Sequence, residues 1–99
     1  MATYRIEYKH HPTNYSSALS MTVEAESLDD ALITAIVTLD RQGVRAQIRS
    51  LGYGEATIGL TDTGRKKIAQ FELRASGSNG ASIHNAYAVG TATLPGRVV

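Results

Sequence analysis

Few side chains in this sequence can do chemistry, and their spacing decides which chemistry is open to them. There are three histidines and no cysteine, which excludes disulfides, thiolate metal sites and thiol catalysis. His10 and His11 are adjacent. Neighbours in extended chain point to opposite sides, and His84 is far along the sequence, so no ligand set of established metal spacing is present. His84 and the serines supply the types of a base and a nucleophile, yet no nucleophile elbow surrounds them. The glycines at 52, 54, 59 and 64 read as turn and bulge residues, because none leads directly into an expected helix as a phosphate loop would. The expectation is a non-enzymatic protein with no metal and no cofactor.

The charges are more informative. Net charge is only +1. Yet Glu24, Glu26, Asp29, Asp30 and Asp40 fall in one window without Lys or Arg, giving −5 there. The ten basic residues share the rest of the chain with Glu7, Glu55, Asp62 and Glu72, giving +6. Seven of the ten are Arg, the side chain suited to bidentate phosphate contacts and to stacking. The plain alternative is an ordinary solvated surface with an acidic helix start.

The elements that would carry these charges follow from periodicity. Thr3 to Lys9 alternates, with Tyr4, Ile6 and Tyr8 on one face and Thr3, Arg5, Glu7 and Lys9 on the other, the pattern of a half-buried strand. After the turn-rich segment 10–17, Leu19, Met21, Val23 and Ala25 alternate with Ser20, Thr22, Glu24 and Glu26. The two runs predict an antiparallel hairpin.

Ser27 reads as a helix N-cap, followed by Asp29 and Asp30 at the positive end of the helix dipole. Leu28, Ala31, Leu32, Ala35, Ile36 and Leu39 form one apolar stripe, and Gly43 is the expected stop. This predicts a helix over 27 to about 41, the only long one. Period 2 returns at 44–51 and 55–60. Asp62-Thr63-Gly64 has the composition of a hairpin turn. The run 66–75 alternates Ala69, Phe71, Leu73 and Ala75 with polar residues, which predicts the longest strand. Asn79-Gly80 is a hairpin signal, and 81–94 supplies a weakly alternating, Ala-rich last strand.

The expected fold class is α+β: an antiparallel sheet of five to six strands in the order β-β-α-β-β-β, with one amphipathic helix on one face. Residues 1–94 form a single domain in this reading and 95–99 a tail. Phe71 and Leu73 join Leu32, Ile36, Leu39, Ile6, Met21, Val23 and Ile48 in the expected core. One helix cannot cover so wide a sheet, so a homodimer or higher homo-oligomer is expected through Ile83, Tyr87, Val89 and Leu94. No apolar run has the length of a membrane span or a signal h-region, which suggests a cytoplasmic chain that does not engage membranes.

The sheet parity facing away from the helix carries Arg5, Lys9, Arg45, Arg49 and Arg74, with Arg65-Lys66-Lys67 beside the 62–64 turn as a clamp. Such a face can track a phosphate backbone, with Tyr15 and Tyr53 as stacking groups. The functional expectation is a small regulatory protein binding single-stranded DNA or RNA, since no helix offers a basic face to a duplex groove. The β-β-α order resembles that of several small regulatory and phage-type domains. The alternative, for a compact chain without catalytic groups, is an interaction or inhibitor module docking on a larger protein through a sheet edge or the acidic helix.

Overall fold

The computed structural model describes residues 1–11, 19–49 and 58–89. In chain order they form β1 (Ala2–His10), β2 (Leu19–Ala25), α1 (Leu28–Arg41), β3 (Val44–Ile48), α2 (Asp62–Arg74) and β4 (Asn79–Val89). The strands make one sheet in the order β2-β1-β4-β3. β1 runs antiparallel to both its neighbours, whereas β3 and β4 are parallel. The sheet is therefore mixed.

The hairpin forms as its alternation predicts, with Ile6 opposite Met21 and Tyr4 opposite Val23. The first helix also matches. Ser27 is its N-cap, its hydroxyl accepting the Asp30 N–H, and Ala31, Leu32, Ala35, Ile36 and Leu39 are buried. Gly43 follows with φ of 81°, the left-handed conformation that costs glycine least.

The second half corrects the sequence reading. The described residues form an α+β fold with two helices and a mixed sheet of four strands, where one helix and five to six antiparallel strands were expected. Residues 62–74 are helical, not a turn followed by a long strand. Thr61 is the N-cap, its side chain accepting the Gly64 N–H at 3.0 Å. Gly64 thus does open a helix. The phosphate-loop pattern still fails, because Arg65 and Lys66 stand where that pattern has Lys and Ser or Thr. Asn79-Gly80 is no hairpin: it opens β4 after α2 has crossed over from β3. That crossover is what allows β3 and β4 to run parallel. Residues 58–60 are not strand; the rest of the strand expected at 55–60 lies outside the described residues, as do Tyr15, Tyr53, Leu94 and the expected tail.

Both helices pack on one face of the sheet. The largest fully buried side chains are Ile6, Leu32, Ile36, Leu39, Ile68 and Ile83, so every described element but β2 and β3 places a large residue there, and those two add Ala25, Val44 and Ala46. Leu73, expected in the core, is 86% exposed, and Phe71 is half-buried at its margin. Ile83, expected in a subunit interface, is fully buried within the chain.

Candidate nucleic-acid interface on the helix-free face

Strand side chains alternate between faces, so the core residues identify the opposite set. Tyr4, Ile6 and Tyr8 of β1, Met21 and Val23 of β2, and Ala46 and Ile48 of β3 all pack with the helices. Thr3, Arg5, Glu7, Lys9, Ser20, Thr22, Glu24, Arg45 and Gln47 therefore occupy the face without helices. On β4 the alternation is interrupted. Glu7 pairs with Asn85 but Tyr8 with Ile83, which leaves His84 as the extra residue of a β-bulge. The bulge keeps both Ile83 and Ala86 against the core and delivers Asn85 and Tyr87 to the helix-free face. The Nε2 of His84 is buried without a hydrogen-bond partner among the described residues.

The centre of this face is organised around one carboxylate. Glu7 accepts from Asn85 Nδ2 at 3.1 Å and from the Tyr87 hydroxyl at 3.2 Å, and Arg5 Nε lies 3.6 Å from it. Arg5 stands directly across from Tyr87 on β4 and from Thr22 on β2. Tyr87 is 39% exposed. One row further, Lys9 faces Ser82, which faces Gln47 on β3. Arg45 and Arg49 are exposed at the β3 edge, and the Arg49 N–H continues the ladder to the Ile83 carbonyl at 3.0 Å.

His11 closes the end of β1 onto β4. Its N–H donates to the Gly80 carbonyl at 2.9 Å, and its Nε2 shares a hydrogen bond of 2.6 Å with the Ser82 hydroxyl. A Cβ on Gly80 would come within 3.0 Å of the His11 ring, so glycine leaves the imidazole room there. Ser82 is 2% exposed. With its hydroxyl shut away, the pair acts as a clasp between strands. Sequence reasoning missed it, because the partners are 71 positions apart.

Of the expected site residues, Arg5, Lys9, Arg45 and Arg49 share the helix-free face. Lys66, Lys67 and Arg74 do not: they lie on α2, on the other side of the sheet. Lys67 reaches α1, 3.1 Å from an Asp30 oxygen and 3.7 Å from Asp29. The Arg74 guanidinium sits 5.6 Å over the Phe71 ring. The Asp29 carboxyl is held below its ordinary range by the Ser27 hydroxyl and then by the Lys67 charge, against the opposing effect of burial. The Lys67 ammonium is raised by its hydrogen bond to Asp30 and by the charges of both aspartates. The acidic start of α1 is thus partly neutralised within the chain.

A cleft of about 260 Å³ lies between α2 and the β3 edge, with an apolar floor of Ile48, Leu60, Ile68 and Ala69. At its rim the Glu72 carboxylate accepts the Ile48 N–H at 2.8 Å. Among the described residues no cluster of His, Asp and Glu is arranged to hold a metal ion, and no helix is long and apolar enough to cross a membrane. Comparison with protein-family models, curated proteins and solved structures gives no significant match to this chain.

Proposed function

We propose that this protein binds single-stranded nucleic acid across the helix-free face of its sheet. The observation that carries the reading is the composition of that face. Among the described residues, Arg5, Lys9, Arg45 and Arg49 are set against Glu7 and Glu24 only, with the half-exposed Tyr87 ring among them. Four strands about 4.8 Å apart give a platform wide enough for two or three nucleotides. The cations follow the phosphates, and the Tyr87 ring offers a stacking surface among them; Tyr15 and Tyr53, expected to stack, lie outside the described residues. Base–aromatic stacking tolerates any sequence, so the preference is for unpaired bases rather than for a particular order of them.

The test is an anisotropy titration with labelled single-stranded and duplex oligonucleotides over a range of salt. Arg45→Ala/Arg49→Ala should make the slope of log K against log salt shallower by about 0.7 for each phosphate no longer neutralised. Tyr87→Ala should cost about 1–3 kcal/mol while leaving that slope unchanged. Lys66→Ala/Arg74→Ala, on the other side of the sheet, should change little. Absence of wild-type binding at low salt would reject the proposal. It would favour the alternative of docking on a protein through a sheet edge, which the outer side of β2, unpaired among the described residues, supports.

A further inference from the structure

The two edges of the sheet are treated differently. At the β3 edge, Glu72 of α2 occupies the Ile48 N–H at 2.8 Å. The segment after α2 closes on the start of the same strand: a Cβ on Gly77 would come within 2.6 Å of the Val44 nitrogen. The β2 edge carries no such cover among the described residues. It also lacks the usual protections of an edge strand. Its seven residues, LSMTVEA, include no Pro, no Lys, no inward-pointing charge, and its register with β1 is unbroken by a bulge.

Its free backbone groups belong to the even-numbered residues. The N–H of His11, which continues β1, points to β4. Alternation then turns the odd residues of β1 toward β4 and the even ones, Tyr4, Ile6 and Tyr8, toward β2. Their partners Val23, Met21 and Leu19 spend their backbone groups on β1. Ser20, Thr22 and Glu24 consequently present N–H and C=O outward.

We infer that β2 pairs antiparallel with β2 of a second copy, with Thr22 on the twofold axis, to make a continuous eight-stranded sheet. The segment is self-complementary in that register. Thr22 faces Thr22, a favourable cross-strand pair, and Ser20 faces Glu24, so no two carboxylates meet. On the helix side Met21 meets Val23 and Leu19 meets Ala25, which covers Leu19, 40% exposed in the single chain. A register centred on Glu24 would oppose two like charges. An axis perpendicular to the sheet leaves both helix-free faces on the same side, so the dimer offers one surface of twice the width. The pairing does not depend on what that surface binds.

The experiment is a sedimentation series on the full chain at rising concentration, joined to cysteine cross-linking. The chain has no cysteine of its own, so Thr22→Cys introduces a single thiol. Hydrogen-bonded antiparallel partners have Cα atoms about 5.5 Å apart, within disulfide reach. Mild oxidation should therefore link Thr22→Cys into dimers, and Arg45→Cys at the opposite edge should stay monomeric. Thr22→Lys, which would place two ammonium groups face to face, should shift the dimer midpoint to at least tenfold higher concentration. Thr22→Pro should do the same by removing an outward N–H, without loss of a ladder bond to β1. A wild-type mass that stays monomeric at every concentration would overturn the inference. So would equal cross-linking at positions 22 and 45, or a Thr22→Lys variant that dimerises as wild type does.

Discussion

Gly77 lies against the backbone of Gly43: a Cβ on it would stand 2.5 Å from the Gly43 carbonyl carbon and 2.6 Å from its oxygen. The Asp40 carboxylate, in the last turn of α1, fixes this approach by accepting the N–H groups of Ser76 and Gly77 at 2.9 and 3.1 Å. The chain leaving α1 and the chain leaving α2 thus meet at one point. From it β3 and β4 start side by side, with the Asn79 N–H donating to the Gly43 carbonyl at 3.2 Å.

Replacing Gly77 by Ala should therefore destabilise the fold by about 1–3 kcal/mol, because the obstructing atoms are backbone and cannot rotate away. Gly43→Ala meets nothing within 4 Å and should cost only the left-handed backbone penalty, about 1–2 kcal/mol. Asp40→Asn keeps an acceptor oxygen and should be milder than Asp40→Ala. Urea unfolding midpoints rank the four variants. A Gly77→Ala protein as stable as wild type would show that the two segments do not meet as described.

Truncations separate the helix at 62–74 from the strand its alternation suggested. Leu32→Ala should cost about 2–5 kcal/mol, as for a fully buried leucine. Leu73→Ala should cost almost nothing, since Leu73 is 86% exposed, whereas a core strand through 66–75 would make it costly. Thermal denaturation of the two variants side by side distinguishes the cases.

The first half of the fold was legible because local signals agree with tertiary burial there. Alternation marks β1 and β2, and Ser27, the stripe from Leu28 to Leu39, and Gly43 mark α1. In the second half two physical ambiguities intervene. Ala69, Phe71, Leu73 and Ala75 alternate like a strand, but the buried residues are Gly64 and Ile68, four apart as on a helix, with Phe71 three further on. Short apolar runs support either period. The helix formers in Arg65-Lys66-Lys67-Ile68-Ala69-Gln70 were the signal that could have decided it, together with Thr61 as a cap. β4 looked weak because the bulge at His84 breaks its period, moving the inward set from Ala81 and Ile83 to Ala86. For the site, parity alone grouped Arg5, Lys9, Arg45 and Arg49. It could not place Tyr87, whose face depends on that bulge, nor find the pairing of Lys67 with Asp30.

The Ser27 hydroxyl bond to Asp29 and the bridge from α2 to α1 set limits on stability at opposite ends of the pH scale. The Asp29 carboxyl lies below its ordinary value of 3.8, so its contribution is present above that value and fades as pH falls through the lower folded one. The Lys67 ammonium lies above its ordinary 10.5, so its contribution is complete below 10.5 and is lost as pH rises through the raised folded value. Melting temperature should be flat between these limits as far as this pair is concerned. Lys67→Met should lower that plateau slightly, the pair being half-exposed and screened, and should weaken the loss on the alkaline side. An alkaline limb identical in wild type and variant would remove Lys67 from the account.

The last expectation concerns Glu7, which holds Tyr87, Asn85 and Arg5 on the helix-free face. In the nucleic-acid reading this carboxylate works against binding in two ways. It repels phosphate, and it competes for Arg5, a side chain 48% exposed and otherwise able to reach a ligand. Glu7→Gln keeps an acceptor for the Tyr87 hydroxyl, so the ring should stay in place, while the charge is removed. Affinity for a single-stranded oligonucleotide should rise at low salt. The slope of log K against log salt should steepen by about 0.7 if the freed Arg5 neutralises one more phosphate. Arg5→Ala introduced with Glu7→Gln should abolish that added steepness. Where Glu7 serves only to order the strands, the substitution would change thermal stability and leave both affinity and slope where they were, which would take Arg5 out of the binding face.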